Sequence, residues 1–477
     1  MQFEPIIGLE VHCQLATRSK LFCSCATTFG VAANHQVCPV CLGMPGTLPV
    51  INTLAVDYAV RLALAVGAKL NTRSIFSRKQ YFYPDLPKGY QITQYDQPYC
   101  EGGEITVDQN TRVRLTRIHL EEDAGKNLHG SDASYCDYNR AGMPLVEIVS
   151  QPEITSAVAA ADYLRSLRSL VRHLGISDGN LEEGSFRCDA NVSLRLKGTT
   201  KLGTRCEIKN LNSFRNVERA INYEIQRQGD ILEQGGQIVQ HTLLFDADSG
   251  RTAPMRAKEE SHDYRYMPDP DLPPLCLSAD RIEKISKELP ELPQAMAARF
   301  IETYSIPDSS ATLLTSDRDL AAYFESVNSM VDGKVAAKIV ANWVIGEFLP
   351  VATELKWDLT KPNIDAAHLA GLLKLLGDDV ISSKIAKTVF EEMLKNGESA
   401  KDIVDRLGLT QVTDQSSITA LIDQVIDANP EQLRQFLSGK EKIFGFFVGQ
   451  VMKLSHGKMN PALVNSILTE KLAQRRE

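Results

Sequence analysis

Ser185-Phe186-Arg187-Cys188-Asp189-Ala190-Asn191-Val192-Ser193-Leu194-Arg195 decides how the first half of this chain folds. Polar and apolar residues alternate through it without a break. Side chains alternate faces along a strand, so the segment predicts a β-strand with one apolar face and one face of hydroxyl, guanidinium, carboxylate and amide groups. Working outward, Ile7 to Leu15 repeats the pattern, with Glu10, His12 and Gln14 opposite Leu9, Val11, Cys13 and Leu15. Arg205, Glu207 and Lys209 oppose Cys206 and Ile208. Val113 and Leu115 lead into His119, Glu121, Glu122 and Asp123, with the alternation slipping near Arg117. Leu145 to Ser150 is mostly apolar but carries Glu147. Taken singly, each strand reads as part of an antiparallel sheet with one wet face. Together they carry Glu10, His12, Glu122, Asp189, Asn191 and Glu207, all metal-ligating types, interleaved with Arg and Lys suited to phosphate. Such strands side by side predict a floor for a metal-bound nucleotide.

A chain of 477 residues has room for roughly two to four domains. Its net charge of −8 argues against indiscriminate nucleic-acid binding and leaves room for a local basic surface. No apolar run reaches membrane-spanning length, and Met1-Gln2-Phe3-Glu4 lacks the basic start of a signal peptide. Ten cysteines, four of them clustered, do not make a secreted disulfide framework, so a reducing cytoplasm is the expected compartment. Neither a P-loop nor a dinucleotide-binding glycine motif is present, and no amidase-type serine segment or nucleophile elbow. ATP, if used, must therefore lie on the sheet with its phosphates held by divalent metal and Arg/Lys.

Cys23-Ser24-Cys25 and Cys38-Pro39-Val40-Cys41 bring two close thiol pairs together across a short loop. The second pair has zinc-ribbon spacing and the first is one residue tighter. Four thiolates close a tetrahedral zinc site and leave no position for substrate, so the expected zinc is structural. It would pin the loop that follows Glu10 and His12.

Turns and short strands dominate up to Leu289-Pro290-Glu291-Leu292-Pro293, with helices expected over Tyr163 to His173 and Val217 to Gly229. Beyond that proline break the pattern becomes helical. Lys334 to Leu349 is apolar almost all round and reads as a central buried helix. Asp379 to Asn396 and Ser416 to Asp427 are amphipathic. A second break falls near Gly397 to Gly408. The final unit runs through Ile443 to Lys453 to Asn460-Pro461, an N-cap before a first-turn proline. Gly445 and Gly449, four apart, suggest a close helix contact. The division expected is 1–292, 293–405 and 406–477.

Asp137-Tyr138-Asn139-Arg140-Ala141-Gly142-Met143-Pro144-Leu145-Val146-Glu147-Ile148-Val149 closely resembles the signature of the B subunit of tRNA-dependent amidotransferases. Val37 to Pro49, Tyr81 to Gln91, Glu182 to Ser193, Asp263 to Pro270 and Phe447 to Pro461 resemble other blocks of that family. The similarity spans nearly the whole chain, with Met267 where Phe is usual and Met459 where Ala is usual. The resemblance implies an α+β fold. An N-terminal antiparallel-sheet cradle like that of glutamine synthetase is followed by an all-α helical domain and a small all-α tail. It implies ATP-dependent phosphorylation of the side-chain carboxylate on Glu-tRNA(Gln) or Asp-tRNA(Asn), then amidation by ammonia.

On that resemblance Glu10, His12, Glu122 and Glu207 are catalytic metal ligands for Mg2+ or Mn2+. Ser185, Arg187, Asp189, Asn191, Arg205 and Lys209 stand where nucleotide and its metal would be held, with Glu121 and Asp123 outside the ligand set. Lys79, Tyr81 and Lys88 fall at the mouth of an ammonia passage. An amidase A subunit and a small C subunit would complete a heterotrimer. Lys440, Lys442, Lys453, His456 and Lys458 form a basic stretch in the tail suited to tRNA phosphates. The rival readings are a non-catalytic zinc-knuckle RNA scaffold and a stand-alone metal-dependent RNA phosphodiesterase or nucleotidyltransferase. The first would place basic and stacking residues on the sheet face, where carboxylates stand instead; the second would turn over without a partner.

Overall fold

The computed structural model describes residues 3–107, 111–130, 132–255, 264–411, 414–455 and 459–475. Contacts divide it into two units, Met1–Ala295 and Met296–Glu477.

The first unit is built on one sheet. Its main strands are β1 (Phe3–Gln14), β2 (Arg112–Glu122), β3 (Pro144–Ser150), β4 (Phe186–Leu196), β5 (Cys206–Lys209), β6 (Thr242–Asp246) and β7 (Arg251–Pro254). They lie in the order β7-β6-β5-β4-β1-β3-β2, with short edge strands Cys100–Glu101 and Lys69–Leu70 beyond β2. The sheet is mixed, not antiparallel as expected, because β5 and β6 run parallel. A helix, Phe214–Glu233, lies between them in the chain. A helical crossover of that length allows a parallel return that a tight turn forbids.

The alternation in β1 and β4 works as the sequence predicts. Ile7, Leu9, Val11 and Cys13 from β1 share one core with Phe186, Cys188, Ala190 and Val192 from β4. Three helices contribute to that core: α1 (Thr53–Ala65) through Val56 and Val60, α2 (Ala157–His173) through Leu164 and Leu167, and α3 (Phe214–Glu233) through Val217, Ala220 and Ile221. All three start on side-chain caps. Asn52 accepts from the Leu54 and Ala55 amides, Ser156 from Ala159 and Ser213 from Asn216. The helices cover one face of the sheet, and the polar residues of β1, β3 and β4 lie on the other. A second, three-stranded sheet of Ser77–Gln80, Tyr90–Thr93 and Met267–Pro268 meets the end of β2, where the Gln91 amide group donates to the Glu122 carbonyl at 2.8 Å.

The second unit is helical and holds two hydrophobic clusters, one running from Phe300 to Val404 and one from Ile418 to Leu472. The interval from Gly397 to Gly408 is not an empty break. Both glycines end helices in the left-handed conformation, and Ala400–Leu407 between them buries Ile403 and Val404. The helix expected over Lys334 to Leu349 is Ala337–Trp343, continued by a π turn over Val344–Phe348 and by Leu349–Glu354. It is not buried all round: Lys338, Ile339, Asn342, Gly346 and Pro350 are exposed. The wide turn falls just before Pro350, which has no N–H to continue the ladder. The last helix, Pro461–Gln474, starts where capping predicts, since the Asn460 side chain accepts from the Ala462 and Leu463 amides. Gly445 and Gly449 are a different matter, because a Cβ at either would meet nothing within 4 Å. Close helix packing does not account for them.

Candidate active site on the open sheet face

Strand register brings the polar residues into rows. His12 stands opposite Arg187 of β4 on one side and Glu147 of β3 on the other, and Glu147 stands opposite His119 of β2. In the next row Glu10 lies between Asp189 and Val149. Leu145 lies between Gln14 and Glu121. Directly opposed side chains on one sheet face are within contact distance, so four strands contribute to one site.

The result is a close set of hard donors. His12 Nε2 lies 3.6 Å from Glu121 Oε1 and 3.6 Å from Glu147 Oε2. One ligand atom from each of these three residues lies within 4.8 Å of the others. His119 Nε2 is 3.2 Å from Glu147 Oε2 and 3.7 Å from Glu121 Oε2. Glu10 is adjacent and accepts from Asn191 Nδ2 at 2.9 Å. Burial, followed by the Glu147, Glu207 and Asp189 carboxylates, pushes the Glu10 carboxyl above its ordinary range. Burial works in the same direction on Glu147, yet the His119 and His12 imidazoles hold that carboxyl well down. Burial opposes charge on His119 too, but Glu147 and Glu121 raise it to about 9. Carboxylates crowded at low dielectric with one raised carboxyl are a site that favours a cation, and oxygen donors with one imidazole fit Mg2+ or Mn2+.

Glu122 is not in this set. Leu115 pairs with Ser150 but Arg117 pairs with Val149, so β2 carries one extra residue at Thr116. The bulge reverses the parity of the strand. Val113 and Leu115 are buried before it, Ile118 and Leu120 after it. His119 and Glu121 are thereby carried to the open face and Glu122 to the other side. There the Glu122 carboxylate pairs with Lys88 and accepts from the Ile92 amide at 2.9 Å. The slip near Arg117 is visible in the sequence. Which glutamate it favours depends on where β3 pairs.

The four expected cysteines converge as well. Cys23, Cys25, Cys38 and Cys41 place their Sγ atoms within 4.8 Å of one another. Cys41 accepts from the Cys38 amide at 3.1 Å. A hydrogen bond from Cys23, then the Cys38 amide and the Lys20 ammonium, hold the Cys41 thiol down at about 4. Burial pushes Cys25 up to about 11. Lys20 is completely buried. Its Nζ donates to Gln36 O at 2.7 Å and Tyr138 O at 3.3 Å, and lies 3.7 Å from Cys41 Sγ. A buried ammonium beside a thiolate cluster compensates charge there, and no sequence signal marked it. Four thiolates, with no fifth metal donor grouped with them among the described residues, fit a closed structural zinc.

A model of the GatB/GatE catalytic domain matches residues 5–283, which include every residue of this site, and a model of the GatB domain matches residues 322–472. The B subunit of the aspartyl/glutamyl-tRNA(Asn/Gln) amidotransferase of Chlorobium luteolum is 52% identical over 477 residues, covering 99% of this chain and 100% of the relative. The protein of the same name from Persephonella marina is 50% identical over 475 residues, and that from Alkalilimnicola ehrlichii 53% over 479, with the same coverage. The chain belongs to this amidotransferase B-subunit family.

Within this family member the remaining expected site residues fall into distinct groups. Lys209 donates to Asp189 at 2.6 Å and pairs with Glu207 at 2.9 Å, and Thr242 donates to Glu207 at 2.9 Å. Burial opposes charge on Glu207, but Lys209 and Thr242 keep its carboxyl below the usual range. Arg187 donates to the buried Asp123 at 2.9 Å, which also accepts from Gln14 at 2.9 Å. Arg205 is exposed and precedes β5. The Ser185 hydroxyl is turned into the loop before β4, where it bonds Asp178 and the Asn180 backbone. Lys79 lies over the Tyr264 ring at 4.8 Å and the Tyr81 ring at 5.9 Å, and Glu121 and Glu147 favour its charged form against burial. Lys88 instead lines a cavity of about 210 Å³ with Cys41, Gly43, Glu122 and Gly142. Of the tail cations, Lys440 and Lys453 are exposed, while His456 and Lys458 lie outside the described residues. Among the described residues no helix is long and apolar enough to cross a membrane.

Proposed function

We propose that this chain activates the side-chain carboxylate of Glu-tRNA(Gln) or Asp-tRNA(Asn) with ATP and completes its amidation with ammonia. The observation that carries the reading is the His12–Glu121–Glu147 set with Glu10 beside it. The names of the relatives support the substrate class. A carboxylate resists ammonia because its charge is delocalised and its oxygen leaves poorly. Transfer of the γ-phosphoryl group from ATP to that carboxylate gives an acyl phosphate and ADP. Ammonia then adds to the carbonyl carbon, phosphate leaves, and an amide remains.

Such transfer is positioning and charge stabilisation more than covalent catalysis. A bound Mg2+ or Mn2+ would neutralise charge on the transferred phosphoryl oxygens. His12, Glu121 and Glu147 are the residues to hold it, with Glu10 beside them. Asn191 fixes Glu10 by its hydrogen bond, and Lys209 holds Asp189 and Glu207 in place. Arg187 of β4 and Arg205, just before β5, are further cations nearby in the chain. The reading carries with it a cradle of the glutamine-synthetase type over 1–292, a helical domain over 293–405 and a tail over 406–477. It places zinc at the four cysteines, ammonia supply in an amidase A subunit, and a small C subunit in a cytoplasmic heterotrimer. Lys79, Tyr81 and Lys88 would border the ammonia route, and Lys440, Lys442, Lys453 and Lys458 would meet tRNA phosphates.

The test is ATP cleavage by the assembled enzyme, dependent on mischarged tRNA, with glutamine or ammonium as nitrogen source. Glu147→Gln should abolish cleavage with either source, since activation precedes ammonia attack. Restoration by ammonium would place Glu147 on the nitrogen route and withdraw the assignment.

A further inference from the structure

His119 is a buried histidine with a one-sided set of partners. It is 2% exposed, and its buried Nδ1 has no hydrogen-bond partner among the described residues. Its Nε2 faces Glu147 Oε2 at 3.2 Å and Glu121 Oε2 at 3.7 Å. Between two carboxylates that nitrogen must donate. His12, by contrast, stands on the open side of the same pair and meets Glu121 through the other oxygen, Oε1.

The two oxygens of Glu121 are thus divided. Oε2 accepts from the Thr93 hydroxyl at 3.3 Å and faces His119 Nε2 at 3.7 Å, while Oε1 is directed to His12. Glu147 is drawn toward the same place, since its Oε2 lies within reach of both imidazoles. A position required only for core stability would favour an apolar side chain, because an unmet buried nitrogen is unfavourable. The close polar contacts of the His119 ring run to the two acids.

We infer that His119 is a positioning residue for the cation site: its Nε2 orients the Glu121 and Glu147 carboxylates so that Glu121 Oε1 and Glu147 Oε2 converge on a divalent cation beside His12. The inference rests on the metal reading of the His12–Glu121–Glu147 set and deepens it. It also gives a reason for the bulge at Thr116, since without that extra residue both His119 and Glu121 would point into the core.

The experiment is titration of the full-length chain with Mn2+ alone, read by the loss of the free-ion paramagnetic resonance signal, with thermal unfolding of each variant alongside. His119→Leu removes the donor, and His119→Asn places its amide where Nδ1 was, short of the acids. His119→Gln returns a nitrogen to the Nε2 position. Partners that orient metal ligands typically contribute roughly 10–100-fold to affinity. The Leu and Asn variants should therefore bind Mn2+ at least about tenfold more weakly at temperatures where the unfolding curves show them folded, and Gln should recover most of the loss. Retention of parental affinity by Leu or Asn overturns the inference, as does a Gln variant no tighter than Asn. The last comparison stands even if Leu does not fold. Glu147→Gln is the control. If the parent's Mn2+ binding is indifferent to it, the cation reading itself fails and this inference falls with it.

Discussion

Glu121 and Glu122 are neighbours in the chain and equally buried, at 2% exposure each, yet they belong to regions of opposite electrostatic character. On the Glu122 side the protein supplies its own counter-charge, in the Lys88 ammonium and the Ile92 amide. The cysteine loop follows the same rule, with Lys20 set against Cys41. On the Glu121 side, Glu10 is held by the Asn191 amide, a neutral partner, and the surrounding acids push its carboxyl up. Glu122 is met by a lysine ammonium, whereas Glu147 is held down by the titratable imidazoles of His119 and His12 while Glu10 beside it stays raised. An imidazole gives up its proton to a competing cation far more readily than a lysine does. The difference separates site from scaffold more sharply than burial or residue type.

The largest expected effect falls on the His12–Glu121–Glu147 side. Glu147→Gln should slow tRNA-dependent ATP cleavage by roughly a hundredfold or more, about 3 kcal/mol of barrier, measured as ADP release by the assembled enzyme. A comparable energy should appear on the compensated side as stability instead. Lys20→Met removes a buried cation from three acceptors and should lower unfolding free energy by about 3 kcal/mol, followed by urea denaturation. It should also quicken zinc release to a chelator.

The smallest effect sharpens the contrast through pH. The Glu10 carboxyl is raised in the folded chain. Below its ordinary value of 4.5 it is protonated folded and unfolded, and contributes nothing to pH dependence. As pH rises above that value through the raised one, the unfolded chain gives up its proton first and folding stability falls. Glu10→Gln should therefore be more stable than the parent at neutral pH and no different under acid conditions, in buffer free of divalent cations. Added Mg2+ should narrow the gap.

Much of this was legible in the chain. Period-two alternation marked β1 and β4 and the face on which Glu10, His12, Asp189 and Asn191 lie, because one buried face fixes register. The cysteine spacing pointed to the thiol cluster. Glu147 was harder to weigh: β3 is a central strand with mostly apolar residues on both sides, so no contrast marked it. Which of Glu121 and Glu122 shares the face of His12 was out of reach, since a bulge is a property of the pair β2–β3 and not of β2 alone. Lys20 left no local signal, being a lysine in a loop whose three acceptors come from Gln36, Cys41 and Tyr138. The parallel pair β5–β6 depends on the path of α3, which alternation does not encode.

The most direct test sets the two neighbouring glutamates against each other. Mn2+ affinity and unfolding free energy would be measured for Glu121→Gln and Glu122→Gln in the same full-length chain. Glu121→Gln should lose at least about tenfold in affinity and keep its stability. Glu122→Gln should keep its affinity and lose about 3 kcal/mol of stability, because Lys88 is left buried without its partner. Loss of Mn2+ binding in Glu122→Gln with parental binding in Glu121→Gln would contradict the account and return the cation to the other face of the sheet.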